Sequence, residues 1–280
     1  MTIRASSMQA KQALREASPA LVLLGRAGYA AKGVVYIVIG TLAARAAFGK
    51  GGTTTDSKGA LNIIGDGPYG TLALALIGAG LLGYMLWRLV AAITDAEGEG
   101  DKPTKLVVRA AQAGRGLIYG ALGVEAIRVL GNRGEGESDA ARDWSAKLLQ
   151  LPYGRMLVYA AALGMLGYAG YQLYRALSAK KVRKHLDLSQ AGPTASKWIV
   201  RFGHFGIAAR AVVFAMIALF LFRAAREADS TEAGGIGDSL RELSQADHGS
   251  LVLGTVAFGL VAYGLYQLAT ARYRRMRATG

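Results

Sequence analysis

The sequence predicts an all-α integral membrane protein with six transmembrane helices, built as three two-helix repeats around a pseudo-threefold axis. Three observations predict it: long uncharged apolar stretches, basic residues gathered at their flanks, and one register that recurs three times along the chain. Of the 280 residues 52% are hydrophobic, the formal charge is +14, and there is no Cys. Disulfide scaffolds, thiol nucleophiles and Cys-ligated metals are therefore excluded, and three His leave little for a His-based centre. No metal or other cofactor is expected.

Gly70 to Trp87, Met156 to Tyr174 and Ser250 to Ala271 run for 18, 19 and 22 residues without a charge. About 20 apolar residues cross a bilayer core, so each of these can span. Three weaker stretches, Gly33 to Ala44, Gly116 to Val124 and Ala211 to Phe222, are cut short by charges.

The repeat supports the weaker stretches. Lys32-Gly33-Val34-Val35-Tyr36 aligns with Arg115-Gly116-Leu117-Ile118-Tyr119 at an offset of 83, and with Arg210-Ala211-Val212-Val213-Phe214 at a further 95. The same register pairs Arg26 with Arg109 and His204, and Arg45 with Arg128 and Arg223. In the stronger stretches Gly80, Gly164 and Gly259 correspond, followed by Tyr84, Tyr168 and Tyr263, then by Arg88, Gln172 and Gln267. Each copy thus holds one weak and one strong helix. Spans are expected at about 27–48, 70–93, 110–131, 154–177, 202–224 and 249–271. Lys32 with Arg45, Arg115 with Arg128, and Arg210 with Arg223 are expected to mark the ends of the first helix in each copy, their long side chains reaching toward the interfaces.

The domain division that follows is a cytoplasmic tail at 1–24, repeats at 25–95, 107–177 and 200–271, and a basic cytoplasmic tail at 272–280. Sixteen Lys and Arg fall in the loops and tails of one side and seven on the other, so both termini are expected in the cytoplasm. The first 24 residues lack the continuous apolar core of a signal peptide. Basic clusters such as Lys180 to Lys184 set topology and hold anionic lipid headgroups, and nothing beside them points to nucleic acid. On the opposite side, Asp139 to Leu151 and Asp238 to Ala246 read as amphipathic surface helices. Glu135, Glu137, Asp139 and Asp143 read as a solvated face.

The motifs that open the first helix of each copy, Arg-x5-[Lys/Arg]-[Gly/Ala]-x2-[Tyr/Phe], and that close the second, Gly-x3-Tyr-x2-[Trp/Tyr], resemble the DUF1206 family of bacterial membrane proteins. His204 departs from the first motif. The resemblance covers nearly the whole chain and implies three family domains in a bacterial inner (plasma) membrane. It implies no activity, because the family is named for its unknown function.

Gly33, Tyr36 and Gly40, like Gly116, Tyr119 and Gly123, share one helix face. Together with Gly80, Gly164 and Gly259, these small residues are expected at close helix contacts. Tyr84, Tyr168 and Tyr263, with Arg88, Gln172 and Gln267, have two uses. Facing outward they form an aromatic and basic belt at the interface, which is the commoner one. Facing inward they join Lys32, Arg115 and Arg210 in a positive ring suited to an anion or a lipid headgroup. Glu125 is the one acid well inside an expected span. It is either a proton or cation site or the partner of Arg128 at i+3.

Catalytic signatures are missing: the chain has no Gly-x-Ser-x-Gly elbow, no His-Glu-x2-His helix and no phosphate-cradling loop. The protein is not expected to be an enzyme. Two functions remain, a transporter or small conduit for an ion or small solute along the repeat axis, and a non-catalytic scaffold, lipid-binding or stress-related structural protein. The expected partner is the bilayer itself, with anionic lipids at the cytoplasmic face.

Overall fold

The computed structural model describes residues 18–95, 103–131, 140–183 and 186–275. The first 17 residues, Glu135, Glu137, Asp139 and the last five residues of the basic tail lie outside them. The chain is helical, with one isolated β-bridge, Leu186 to Arg274, among the described residues.

Six long helices carry the fold: α1 (Ser18–Ala47), α3 (Gly70–Thr94), α4 (Pro103–Leu130), α6 (Gly154–Leu177), α8 (Gly192–Glu227) and α10 (Gly249–Tyr273). Between them lie the short helices α2 (Ser57–Gly65), α5 (Ala140–Leu149), α7 (Ala179–Arg183) and α9 (Ile236–Gln245), and a 3-10 turn at Ser230–Glu232. Five of the long helices are both long and apolar enough to cross a membrane. The sixth, α4, has 28 residues and the length, but Arg109, Arg115, Glu125 and Arg128 interrupt its apolar character.

The second helix of each copy begins close to where the sequence places it. The first does not. Helices α1, α4 and α8 start at Ser18, Pro103 and Gly192, two to three turns earlier than expected. Lys32, Arg115 and Arg210 consequently stand near the middles of their helices and not at their ends. The reason lies in the stretches before the apolar runs, which hold good helix formers and no Gly-Pro break once the helix has begun.

The three strong helices start from a shared turn in which the preceding short helix ends against a glycine. A Cβ at Gly70, Gly154 or Gly249 would collide with the carbonyl oxygen of Gly65, Leu148 or Ser244 respectively. Residues ahead of two of these glycines, Tyr153 and His248, are themselves left-handed, with φ of 62° and 57°. Of the short helices, α2 was not foreseen as a helix. Asp56 caps it by accepting from the Gly59 amide at 2.8 Å. At α9 the Asp238 carboxylate reaches back to the Gly235 amide at 2.9 Å.

The long helices pack in the order α4, α3, α1, α10, α8, α6. This arc is held by glycines that let backbones approach. A Cβ at Gly33 would stand 2.9 Å from the Gly264 carbonyl oxygen, and one at Gly40 would stand 2.7 Å from that of Ala257. The arc is open. Its two end helices, α4 and α6, belong to the same repeat and are not among the helix pairs that pack closely among the described residues, whereas the two helices of the first repeat and of the third are.

Candidate functional site

The inner face of the arc is built where the repeated aromatic positions meet. Each strong-helix tyrosine touches the aromatic ring of the next repeat's weak helix, edge to face. Tyr84 meets Tyr119 at 5.6 Å between centroids, Tyr168 meets Phe214 at 5.1 Å, and Tyr263 meets Tyr36 at 4.8 Å. The hydroxyls of Tyr36 and Tyr119 lie 3.4 Å apart.

Two cations are buried in this aromatic layer. Lys32 is 6% exposed and Arg210 7%. Lys32 Nζ lies 4.1 Å above the Tyr119 ring, with Tyr84 at 5.7 Å and Tyr263 at 5.9 Å. Arg210 Nη1 donates to the Tyr263 hydroxyl at 2.6 Å, and its guanidinium lies 4.4, 4.8 and 5.2 Å from the rings of Tyr263, Phe214 and Tyr36. Its Nε is buried without a hydrogen-bond partner among the described residues.

Nearer the C-terminal ends of the strong helices, Arg88, Gln172 and Gln267 are all buried. Arg88 Nε donates to the Tyr84 hydroxyl at 2.9 Å and its Nη2 to the Tyr29 hydroxyl at 2.7 Å. Arg115 and Arg175, on the two end helices of the arc, are half-buried. Arg115 donates to the Ala111 carbonyl at 3.2 Å and Arg175 to the Tyr266 hydroxyl at 3.5 Å. Among the described residues no carboxylate pairs with Lys32, Arg115, Arg175 or Arg210.

Tyr84 and Tyr263 therefore point inward, with 1% and 5% exposure, and not outward as the commoner belt would require; Tyr168 is half-buried. Sequence reasoning missed Tyr29 and Arg175, because neither recurs. Their counterparts are Gln112 and Ile207, and Ala91 and Thr270.

The glycines divide. Gly33, Gly40, Gly80, Gly116, Gly123 and Gly259 are buried at helix contacts; a Cβ on Gly80 would lie 3.0 Å from the Ala27 carbonyl oxygen, and one on Gly259 would overlap Ala209. Gly164 is exposed, with nothing within 4 Å of its Cβ position among the described residues. It therefore does not serve the close helix contact expected of it, because among the described residues no neighbouring helix lies against its face of α6.

Glu125 is buried on α4, and Arg128 Nη1 stands 3.5 Å from its carboxylate, with the Arg128 side chain 54% exposed. His204 keeps the place that Arg109 holds. Arg109 donates to the Ala92 and Ile93 carbonyls at the end of α3, at 2.6 and 2.7 Å, and His204 Nδ1 pairs with the Ala176 carbonyl at the end of α6. The weak helices of the second and third repeats thus each supply a polar group to the orphan carbonyls of the preceding strong helix. A cleft of about 470 Å³ lined by Thr53, Thr54, Arg241 and Ser244 opens at the opposite ends of the helices, away from the cluster.

The apolar helices mark a multi-pass membrane protein made of repeated helix pairs, with a cationic and phenolic interior. The chain belongs to the family described as Domain of Unknown Function (DUF1206), whose model matches residues 27–95, 110–179 and 205–274. It is also similar to the "Uncharacterized protein YxxB" of Bacillus subtilis (strain 168), 34% identical over 262 residues and covering 94% of each chain. No solved structure matches.

Proposed function

We propose that this is a non-enzymatic protein of the bacterial plasma membrane that binds an anion of the phosphate or carboxylate class between its repeats. All six long helices cross the bilayer, and the arc is an incomplete ring about a pseudo-threefold axis. Supporting the axis is the cyclic rule by which each repeat's tyrosine meets the next repeat's aromatic ring. The basic count of sixteen against seven supports cytoplasmic termini and anionic lipid at that face. Labelling of a cysteine at residue 190, but not at residue 52 or 235, from outside intact cells would overturn this orientation.

One observation carries the anion reading: Lys32 and Arg210 are both buried in the aromatic layer, each over the Tyr263 ring, without a carboxylate partner among the described residues. A charge at the centre of a membrane helix costs roughly 2.5–3.5 kcal/mol on insertion scales. Each cation–π contact returns ~0.5–2 kcal/mol. Aromatic faces offset part of the cost, and an anion between the two groups supplies the rest. The experiment is a thermal-shift titration of purified protein with inorganic phosphate, sulfate and acetate. Stabilisation should appear in the wild type and vanish in Lys32→Gln/Arg210→Gln. Equal responses in both would refute the site.

A structural scaffold is the second reading. It is favoured by the closeness of Tyr36, Tyr119 and Tyr263, which fill the inner face with rings.

A further inference from the structure

We infer that the opening between α4 and α6 is the membrane-side entrance to the cationic interior, and that it holds one acyl chain of an anionic phospholipid whose phosphate meets Lys32, Arg115 and Arg175. This inference rests on the anion-binding reading above and adds the ligand's class and route.

The opening is visible by comparison of the repeats. In the first repeat Gly80 lies against Ala27 and Ala31, and Gly83 against Leu24. In the third, Gly259 lies against Ala209, and Gly206 against Tyr263. The second repeat has the same small residues in register, with Gly114 standing where Ala31 and Ala209 stand, and Gly164 where Gly80 and Gly259 stand. Yet Gly114, Gly164, Gly167 and Gly170 each have nothing within 4 Å of a Cβ position among the described residues. Val107, the counterpart of Leu24, is 68% exposed. A sequence able to close a helix pair twice leaves it open once.

The charges select the occupant. Arg115 sits on one lip of the opening and Arg175 on the other, both half-buried. Behind them Lys32, a residue only 6% exposed, reaches from α1 to place its ammonium 4.1 Å above Tyr119 of α4, with no hydrogen-bond acceptor among the described residues. A neutral lipid leaves these cations uncompensated, whereas a phosphate with net negative charge neutralises one and accepts from its neighbours. From Arg175 the exposed glycines of α6 run away from the charges through Gly170 and Gly167 to Gly164. That is about 16 Å at 1.5 Å per residue, the reach of an extended acyl chain, which would pass the exposed rings of Tyr171 and Tyr174 beside Arg175 and then lie on the glycines.

Native mass spectrometry of the full chain, exchanged into dioleoyl phosphatidylglycerol, tests the inference beside the phosphate titration. Gly164→Leu and Gly167→Leu add bulk to the groove at positions where nothing lies within 4 Å of the new Cβ among the described residues. Both should fold with melting points no lower than the wild type's, keep the response to inorganic phosphate, and retain phosphatidylglycerol about tenfold more weakly. Lys32→Gln should lose both ligands. The inference fails if both leucine variants retain the lipid as the wild type does, or if phosphatidylglycerol with six-carbon chains binds as well as the dioleoyl form. In either event a phosphate response that still depends on Lys32 would leave the anion reading standing. Loss of that dependence would remove the anion reading itself.

Discussion

Lys32 and Tyr119 belong to different repeats and helices that are not neighbours in the arc, yet the ammonium lies 4.1 Å above the phenol ring. This contact ties α1 to the end helix α4 across the interior. Tyr119→Leu should remove a cation–π contact worth ~0.5–2 kcal/mol and lower the melting temperature, while Lys32→Met should cost less or stabilise, because it removes the buried charge as well. Differential scanning fluorimetry in detergent compares the two. A Lys32→Met protein clearly less stable than Tyr119→Leu would show that the ammonium is stabilising where it stands.

The glycines give an asymmetric expectation. Gly80→Leu and Gly259→Leu force side chains into Ala27 and Ala209, and overpacking costs ~1–3 kcal/mol or more. Gly164→Leu places its Cβ where nothing lies within 4 Å among the described residues, and gains ~0.8 kcal/mol of helix propensity over Gly. Two destabilised variants and one neutral or stabilised variant are predicted. Equal losses in all three would mean that α4 and α6 pack in the membrane after all.

Arg109 and His204 perform one task with different side chains. Removing either by an Ala substitution leaves carbonyls at the end of α3 or α6 without their donor, at a cost of ~1–3 kcal/mol. His204→Arg should be tolerated, since the same register carries Arg at 26 and 109. A stability loss for His204→Arg as large as for His204→Ala would show that the site needs the imidazole itself.

Glu125 and Arg128 are 3.5 Å apart, with one partner buried and the other largely exposed. If the pair is structural, Glu125→Gln and Arg128→Gln each destabilise, and the double change recovers most of the loss. A stable Glu125→Gln protein that loses ion-coupled flux in vesicles would instead establish a proton or cation site.

Much of this architecture was legible in the sequence because the repeats align residue by residue. The register that pairs Tyr84 with Tyr168 and Tyr263 also identified Arg88, Gln172 and Gln267, which the fold brings to the interior. What stayed hidden had no repeated signal. Tyr29, which accepts from Arg88, and Arg175 occur in one copy each. The lengths of α1, α4 and α8 were hidden too, because helix propensity carries them past the apolar run that periodicity detects. Gly164 shows the limit of symmetry as a guide: its sequence surroundings match those of Gly80 and Gly259, but its partner helix lies elsewhere.

The measurement that bears most directly on the anion site is a cryo-EM structure of the full chain in a bilayer containing phosphatidylglycerol. Phosphate density within hydrogen-bonding distance of Lys32 Nζ or the free Nε of Arg210 is the predicted result, about 3 Å from the donor. An aromatic layer closed over both cations, with no density beside either, would contradict it.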